Sequence, residues 1–199
     1  MSKKEVERIL REFEKTGKDL YADRSTLWLA NNLSKIQTEM KSSHFNRQNP
    51  SQTTNNKIQL GQMLFFGYDP KTKDKLNFWD IFPLIFLIHK RSDSFLGLNL
   101  HYLSPMIRAK FLNNLLRYVD DPKYIENPTT INMTYKMLKG TQNLKPFKAA
   151  IKKYYISSIV TKINIIPSSE WKFTTFMPLD KFQGASRGIV WSSSDKYLK

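Results

Sequence analysis

The spacing of apolar residues predicts helices in the first part of the chain. Over residues 3–40, apolar side chains recur three and four positions apart, which places them on one side of an α-helix. Gly17 is expected to end a first helix, and a second helix is expected to start near Ser25. Acidic and basic residues are nearly balanced here, so we interpret residues 1–40 as a helical appendage that packs against protein.

A polar segment separates this appendage from the rest of the chain. Residues 41–57 are rich in Asn, Gln, Ser and Thr, and they contain no acidic residue. A segment with so little apolar surface is typical of a linker. We therefore predict a polar linker, whose few basic residues are interpreted as solvated.

Three strand-like runs lie within residues 58–103. They are rich in aromatic and branched residues, and the last, LGLNLHYL, alternates between leucines and other residues. Turns are expected at 69–77, which begins with Asp-Pro, and at 91–94. Pro83 must lie at the start of a strand or at a bulge, because it cannot donate a ladder hydrogen bond. Antiparallel strands joined by hairpins are the predicted arrangement.

A helix is predicted to follow these strands. Ser104 is a suitable cap and Pro105 a suitable first helical residue. The apolar positions that follow form one helical face. The basic residues of this helix are expected to point outward: Arg108, Lys110 and Arg117.

The remaining pattern alternates between helical and extended segments. Residues 145–160 predict a late helix, the run TKINIIP a short strand, and SSEWKFTTFMP a helical turn, while residues 133–139 fit either a strand or a short helix. The fold class is therefore α+β. We expect a small antiparallel β-sheet or partial barrel at about 58–103, flanked by helices, within a core domain of residues 58–199.

Charge changes this picture by suggesting a partner. The chain of 199 residues has 32 Lys and Arg against 17 Asp and Glu, a formal net charge of +15. Such an excess favours a polyanionic partner, above all nucleic acid. Acidic protein neighbours and an anionic membrane surface are the alternatives. The longest apolar run, at 82–88, is far too short to span a bilayer, so we expect no membrane partner.

The strongest charge signal is an interval without acidic residues between Glu126 and Glu170, which contains seven lysines. In a helix, Lys145, Lys148 and Lys152 would share one face and repel one another, and a polyanion would relieve that repulsion. An ordinary solvated helix face is the alternative. The candidate DNA-binding residues are those of the late helix, of the helix after Ser104 and of the turn at 69–77: Lys145, Lys148, Lys152, Lys153, Arg108, Lys110, Arg117, Lys71, Lys73 and Lys75.

Aromatic residues near these lysines have two interpretations. Tyr154, Tyr155 and Trp171 fit base stacking on unpaired nucleotides, but residues of this kind more often pack in the core. No sequence-specific recognition motif is present, so backbone or end binding is the expected mode.

Catalytic signals are weak throughout. Asp69, Asp74 and Asp80 are the best candidates for a metal-dependent nuclease site, but their spacing matches no metal loop and suits turn formation. His89 and His101 could begin a metal site without an evident third ligand. The chain has no cysteine and no phosphate-binding or nucleophile motif, so we expect no enzyme activity, no metal and no cofactor.

Several stretches resemble a virion protein of T4-like tailed phages, of the kind labelled DNA end protector. The stretches are Tyr68 to Lys71, Trp79 to Leu84, and Gly97 to Pro105 with Arg108 soon after, followed by a run from Lys145 to Trp191. Together they cover about residues 62–192 and leave out the N-terminal helices. The resemblance implies a minor protein packaged with the genome that shields DNA termini and helps to complete the head.

The sequence thus predicts a non-enzymatic structural protein of a tailed-phage virion, assembled in the host cytoplasm. Its expected partners are double-stranded DNA, through ends or backbone, and other virion proteins. The alternative is a tail, baseplate or neck assembly component that makes protein contacts without binding DNA.

Overall fold

The computed structural model describes residues 18–43, 58–119, 135–140, 144–174 and 182–195. Helices and strands alternate along these ranges, and two sheets result. The helices are α1 Lys18–Ser43, α2 Pro105–Val119, α3 135–140, α4 Lys145–Lys148 and α5 Arg187–Asp195. The strands are β1 Met63–Phe65, β2 Trp79–Asp80, β3 Leu84–Lys90, β4 Ser94–Asn99, β5 Ile151–Tyr155, β6 Asn164–Ile166 and β7 Phe182–Gln183.

The larger sheet has five antiparallel strands in the order β5-β4-β3-β1-β6, and it is open at both edges. At its centre is the β3–β4 hairpin, closed by a 2.8 Å bond from Arg91 N–H to Ser94 O. Pro83 immediately precedes β3, where it removes no ladder bond. The predicted α+β class and antiparallel sheet are confirmed, but the sheet also recruits β5 and β6 from far downstream. A second, two-stranded sheet pairs β2 with β7.

Both faces of the larger sheet are covered, which explains why β3 is apolar at successive positions. On one face, sheet residues pack against helices α1 and α2 and the 3₁₀ turn at Ser168–Thr174. There the Phe86 ring meets Phe111 and Trp171 at centroid distances of 5.7 and 4.8 Å. The other face carries a smaller core of eight buried residues: Ile58, Leu64, Phe66, Tyr68, Ile85, Leu87, Phe95 and Tyr154.

Gly97 lets two central strands fit together on this second face. A Cβ at position 97 would lie 2.3 Å from Ile85 Cδ1, far inside van der Waals contact. Only glycine leaves room for the isoleucine, which is fully buried. This position therefore fixes the packing of β4 against β3.

The N-terminal helix is continuous where the sequence predicted a second start. Helix α1 begins at Lys18 rather than near Ser25, because neither glycine nor proline interrupts residues 18–43. Its buried Leu29 and Ile36 pack on the larger core, and Trp28 Nε1–H donates a 2.7 Å bond to the Glu170 carboxylate. The predicted first helix lies outside the described residues. Of the predicted linker at 41–57, residues 41–43 are helical and form the end of α1, and the rest lies outside the described residues.

The predicted helix over residues 145–160 is wrong. Only α4 is α-helical, and Ile151–Tyr155 forms the edge strand β5. Branched and aromatic residues such as Ile151 and Tyr154 favour a strand, and the unpaired edge of β4 offers a partner along its length. Bonds from Asn99 N–H to Ala150 O and from Ile156 N–H to Asp93 O, both 2.9 Å, bracket this pairing.

Other predicted elements are placed with smaller changes. The predicted helix after Ser104 is confirmed and begins at Pro105, as expected. The short strand and the helical turn that follow β5 are also confirmed, as β6 and a 3₁₀ helix. The undecided segment 133–139 is helical over 135–140. Leu100–Tyr102 is a 3₁₀ turn instead of the end of a strand.

Candidate nucleic-acid interface

The basic residues of the late segment lie at one edge of the sheet instead of on one helix face. Lys145 and Lys148 are exposed on the four-residue helix α4. Lys152 and Lys153 follow on β5, where consecutive side chains point to opposite faces. The predicted helical face shared by Lys145, Lys148 and Lys152 is therefore wrong. We call these four lysines, together with the exposed Arg91 of the neighbouring hairpin, the basic edge.

The two lysines of β5 are held by aromatic rings. Lys153 is exposed, and its Nζ lies 4.5 Å from the Tyr155 ring centroid and 3.2 Å from the Tyr155 hydroxyl. Lys152 is half-buried, with Nζ 4.2 Å from the Tyr102 centroid, and burial lowers its pKa. Cation–π contact orients both ammonium groups without neutralising their charge.

The turn after β1 carries a second group of cations. Lys71, Lys73 and Lys75 are all exposed, and the last two belong to a 3₁₀ turn. Lys73 Nζ lies 3.2 Å from an Asp69 carboxylate oxygen, which offsets one of the charges. The turn therefore presents lysines to solvent, as the sequence predicted.

Arg108 was expected on the surface, and that prediction is wrong. It is fully buried in α2, because Phe111 and Leu112, three and four residues on, face the same core. Its guanidinium donates to the main-chain oxygens of Leu103 and Thr174, at 3.1 and 3.4 Å. Burial lowers the pKa of Arg108 to about 10, while the negative charge of Asp80 opposes this shift. Arg108 is thus placed for folding and not for contact with a polyanion.

The other two basic residues of α2 are Lys110 and Arg117. Lys110 is partly exposed. Arg117 lies in the helix, but its side chain is outside the described part of the chain. Neither is brought next to the basic edge by a contact that the structure describes.

Sequence reasoning missed a buried polar network around Asp80. One Asp80 carboxylate oxygen accepts bonds of 2.8 Å from Asn99 Nδ2 and from His101 Nδ1. The other oxygen accepts the Phe82 N–H at 3.0 Å. Asn99 Nδ2 also donates to the Tyr154 hydroxyl at 2.9 Å. The network joins β2 to β4, β5 and the turn after β4, so its role here is to connect the two sheets.

The candidate metal ligands are separated in the fold. Asp80 is buried in the network, whereas Asp69 is exposed and paired with Lys73, and Asp74 is exposed in the following turn. His89 is exposed on β3, but His101 is buried beyond the far end of β4. Within the described ranges, no three or more His, Cys, Asp or Glu side chains come together as a metal-ion site.

The aromatic candidates divide between core and surface. Tyr154 is buried and meets Tyr68 and Phe66 edge-on at 5.1 and 5.5 Å, and Trp171 is buried against Phe86. Tyr155 is 43% exposed on the basic edge. Core packing therefore explains the first two residues, and Tyr155 remains available for stacking.

Comparison with known families decides the relationship. A family model described as phage T4 terminal DNA protecting protein matches residues 6–199, nearly the whole chain. The chain belongs to this family. The resemblance seen from the sequence is confirmed, and the family match extends it beyond 62–192 to include helix α1. Neither the comparison with curated proteins nor that with solved structures gives a match.

Two features of the described residues accompany membership of this phage family: the character of the helices and the exposed lysines. None of the described helices is long and apolar enough to cross a membrane. Exposed lysines at a sheet edge and in a turn provide cationic surface.

Proposed function

We propose that this protein binds the ends of double-stranded phage DNA through the basic edge and shields them from exonucleases, without catalysing a reaction. The family description supports the class of ligand. The observation that carries the proposal is that two lysines of the basic edge, Lys152 and Lys153, lie on β5, an edge strand that no neighbouring strand covers on its outer side within the described residues. The sequence from 127 to 169, which supplies the four lysines of the basic edge, contains no carboxylate.

Exposure of Tyr155 favours ends over duplex interiors. A duplex terminus presents the flat face of its last base pair, which the interior of a duplex does not. Aromatic rings stack on such faces with a gain of about 1–3 kcal/mol per base. Tyr155 contacts Lys153 and pairs with Ser94 of the hairpin that carries Arg91, so one surface offers both phosphate contact and stacking.

We assign Lys71 and Lys75 to a second contact with the DNA backbone. Both are exposed in a turn that projects from the sheet, and no ion pair is described for either. Arg108 is removed from the binding set because it is buried, and Lys110 contributes at most through its exposed part. Phosphate contacts of this kind position the protein without reading sequence.

Salt dependence provides the first test. Release of counterions by about four phosphate contacts gives a slope near −3.6 in log K against log salt, so affinity should fall roughly 100-fold between 50 and 200 mM salt. Fluorescence anisotropy on a short blunt duplex measures this directly. The double variant K148A/K153A should weaken binding and flatten the slope. The matched control R24A/K35A removes two exposed charges from α1 and should change little.

End selectivity provides the second test. A linear duplex and a covalently closed circle of the same sequence compete for the protein, and the protein should bind the linear form more tightly. Bound protein should slow digestion of the linear form by a double-strand exonuclease, and Y155A should lose most of that protection. Equal competition by the circle, or digestion at the unprotected rate, would refute end binding.

An assembly role is the second candidate, favoured by exposed apolar side chains on contacting elements. Leu144, just before α4, is 52% exposed, and Ile189 of α5 is 56% exposed. Helices α4 and α5 are in contact, so both residues belong to one region of the surface. The copy number in purified particles separates the roles. A copy number of three, six or twelve favours a symmetric neck, tail or baseplate component, whereas end binding requires only one or a few copies per genome.

A further inference from the structure

An irregularity in β3 turns His89 toward the basic edge. In the β3–β4 ladder, Leu87 pairs with Gly97, but the next pair is His89 with Leu96, so one extra residue is inserted at Ile88. Without this bulge His89 would pair with Phe95 and point to the opposite face. Bulges re-aim side chains in this way and are common beside functional sites.

The bulge completes a row of three residues across the sheet. His89 pairs with Leu96, and Leu96 pairs with Lys153 on β5. Paired residues of neighbouring strands point to the same face, so the imidazole and the ammonium group flank the leucine. The strands at either side of β4 are about 9.6 Å apart, which leaves room for one small anion between the imidazole and the ammonium group.

A pocket of about 70 Å³ occupies this position. Its lining surface is mainly apolar, and three of the side chains that line it carry nitrogen atoms. The residues that line it are His89, Arg91, Ser94, Phe95, Leu96 and Lys153. An apolar lining lowers the local dielectric and strengthens hydrogen bonds from these three side chains to an anion.

One carboxylate lies close enough to Lys153 and Arg91 to interact with their positive charges. Asp93, at the tip of the hairpin, accepts a 2.7 Å bond from the Ser94 hydroxyl. That bond lowers the pKa of Asp93, and the positive charges of Lys153 and Arg91 lower it further. Asp93 is therefore a nearby competitor, which an incoming anion must outweigh.

We propose that this pocket binds a terminal phosphomonoester of a DNA strand. This inference rests on the proposed function and names the chemical group that distinguishes an end from the duplex interior. A phosphomonoester carries about −1.5 to −2 charge and three acceptor oxygens at pH 7, compared with one negative charge on an internal phosphodiester. Arg91, Lys153 and His89, which line the pocket, supply the donors. The small volume admits the end of a strand and not a continuous backbone.

The experiment compares four blunt duplexes of one sequence, carrying 5′-phosphates, 3′-phosphates, both or neither. We expect at least one phosphorylated duplex to bind about tenfold more tightly than the unphosphorylated one, as for one to two charge-assisted hydrogen bonds. The duplex that binds more tightly than the unphosphorylated one shows whether the pocket binds a 5′-phosphate or a 3′-phosphate. Inorganic phosphate should reduce this preference by competing for the pocket.

Single substitutions at exposed positions locate the preference. R91A and K153A should each bring the ratio of affinities close to one. K148A, on the basic edge but outside the pocket, should weaken binding to all four duplexes and leave the ratio unchanged. D93N, which removes the competing charge and can keep the bond to Ser94, should raise the ratio.

The outcomes separate this inference from the proposed function. Equal, salt-sensitive binding of all four duplexes would refute the pocket and leave end binding by the basic edge intact. Absence of binding to any duplex would refute both. A preference that survives in R91A and K153A would place the phosphate elsewhere and overturn the assignment.

Discussion

Replacement of Asp80 tests whether the buried network is structural. In D80A, the Phe82 N–H and His101 Nδ1 lose the acceptor that the structure gives them, while Asn99 Nδ2 keeps the Tyr154 hydroxyl. A buried donor left without a partner costs about 1–3 kcal/mol. Two such donors, together with weakened contacts at Asn99, give an expected loss of about 3–5 kcal/mol in the free energy of unfolding.

Asp69 provides the matched control for this experiment. Like Asp80, Asp69 belongs to the part of the sequence that resembles the phage family, but it lies on the surface in an ion pair with Lys73. Exposed pairs contribute about 0–1 kcal/mol, so D69A should be nearly neutral. Urea denaturation followed by tryptophan fluorescence measures both variants, and D80N should fall between them because its amide retains one acceptor.

Two results would refute this reasoning. One is equal stability of D69A and D80A, because the network would then contribute nothing. The other is magnesium-dependent DNA cleavage that both D69A and D80A abolish while D80A stays folded, since these aspartates would then serve a metal site.

Three further predictions concern packing, pH and docking of α1. G97A should lose about 1–3 kcal/mol in the free energy of unfolding, because its Cβ meets Ile85. The control G188A has open space around its Cβ and should be neutral or stabilising in helix α5. Thermal melting compares the two variants. Stability should fall as pH rises above about 10, because burial raises the pKa of three tyrosines that titrate near 10 when unfolded. Arg108 and Lys152, whose pKa values are lowered by burial, act in the opposite direction. Denaturation series from pH 8 to 11 measure the net slope, and an increase with pH would contradict the dominance of the tyrosines: Tyr68, Tyr102 and Tyr154. W28F should cost about 1 kcal/mol through loss of the bond to Glu170, and an unchanged rate of proteolysis of α1 would argue against that anchor.

Local signals were sufficient where chain neighbours decide the structure. Pro83 and the turn at 91–94 define the β3–β4 hairpin, and Pro105 defines the start of α2. These features depend on main-chain preferences that act over a few residues, so one sequence reveals them.

Long-range pairing explains the failures. Residues 151–155 have a helical spacing as well as branched and aromatic side chains, and the open edge of β4, far away in sequence, selects the strand. Arg108 looked like a surface charge because its buried position depends on main-chain oxygens of Leu103 and Thr174. Lys152 and Lys153 are still candidates for DNA binding on a strand instead of a helix. Only the strand pairing, however, could bring Lys153 into a row with His89.

The strand order has a consequence for how the protein folds during synthesis. The central strands β1, β3 and β4 are complete once residue 99 has been made, but both outer strands come from residues 151–166. Until that late segment arrives, the nascent sheet exposes two unpaired edges, which are templates for aberrant pairing with other chains. Closing these edges requires contacts between residues far apart in sequence, which slows folding. The segment that carries the lysines proposed to bind DNA therefore also completes the sheet, and a ribosome that stops before it releases an aggregation-prone chain.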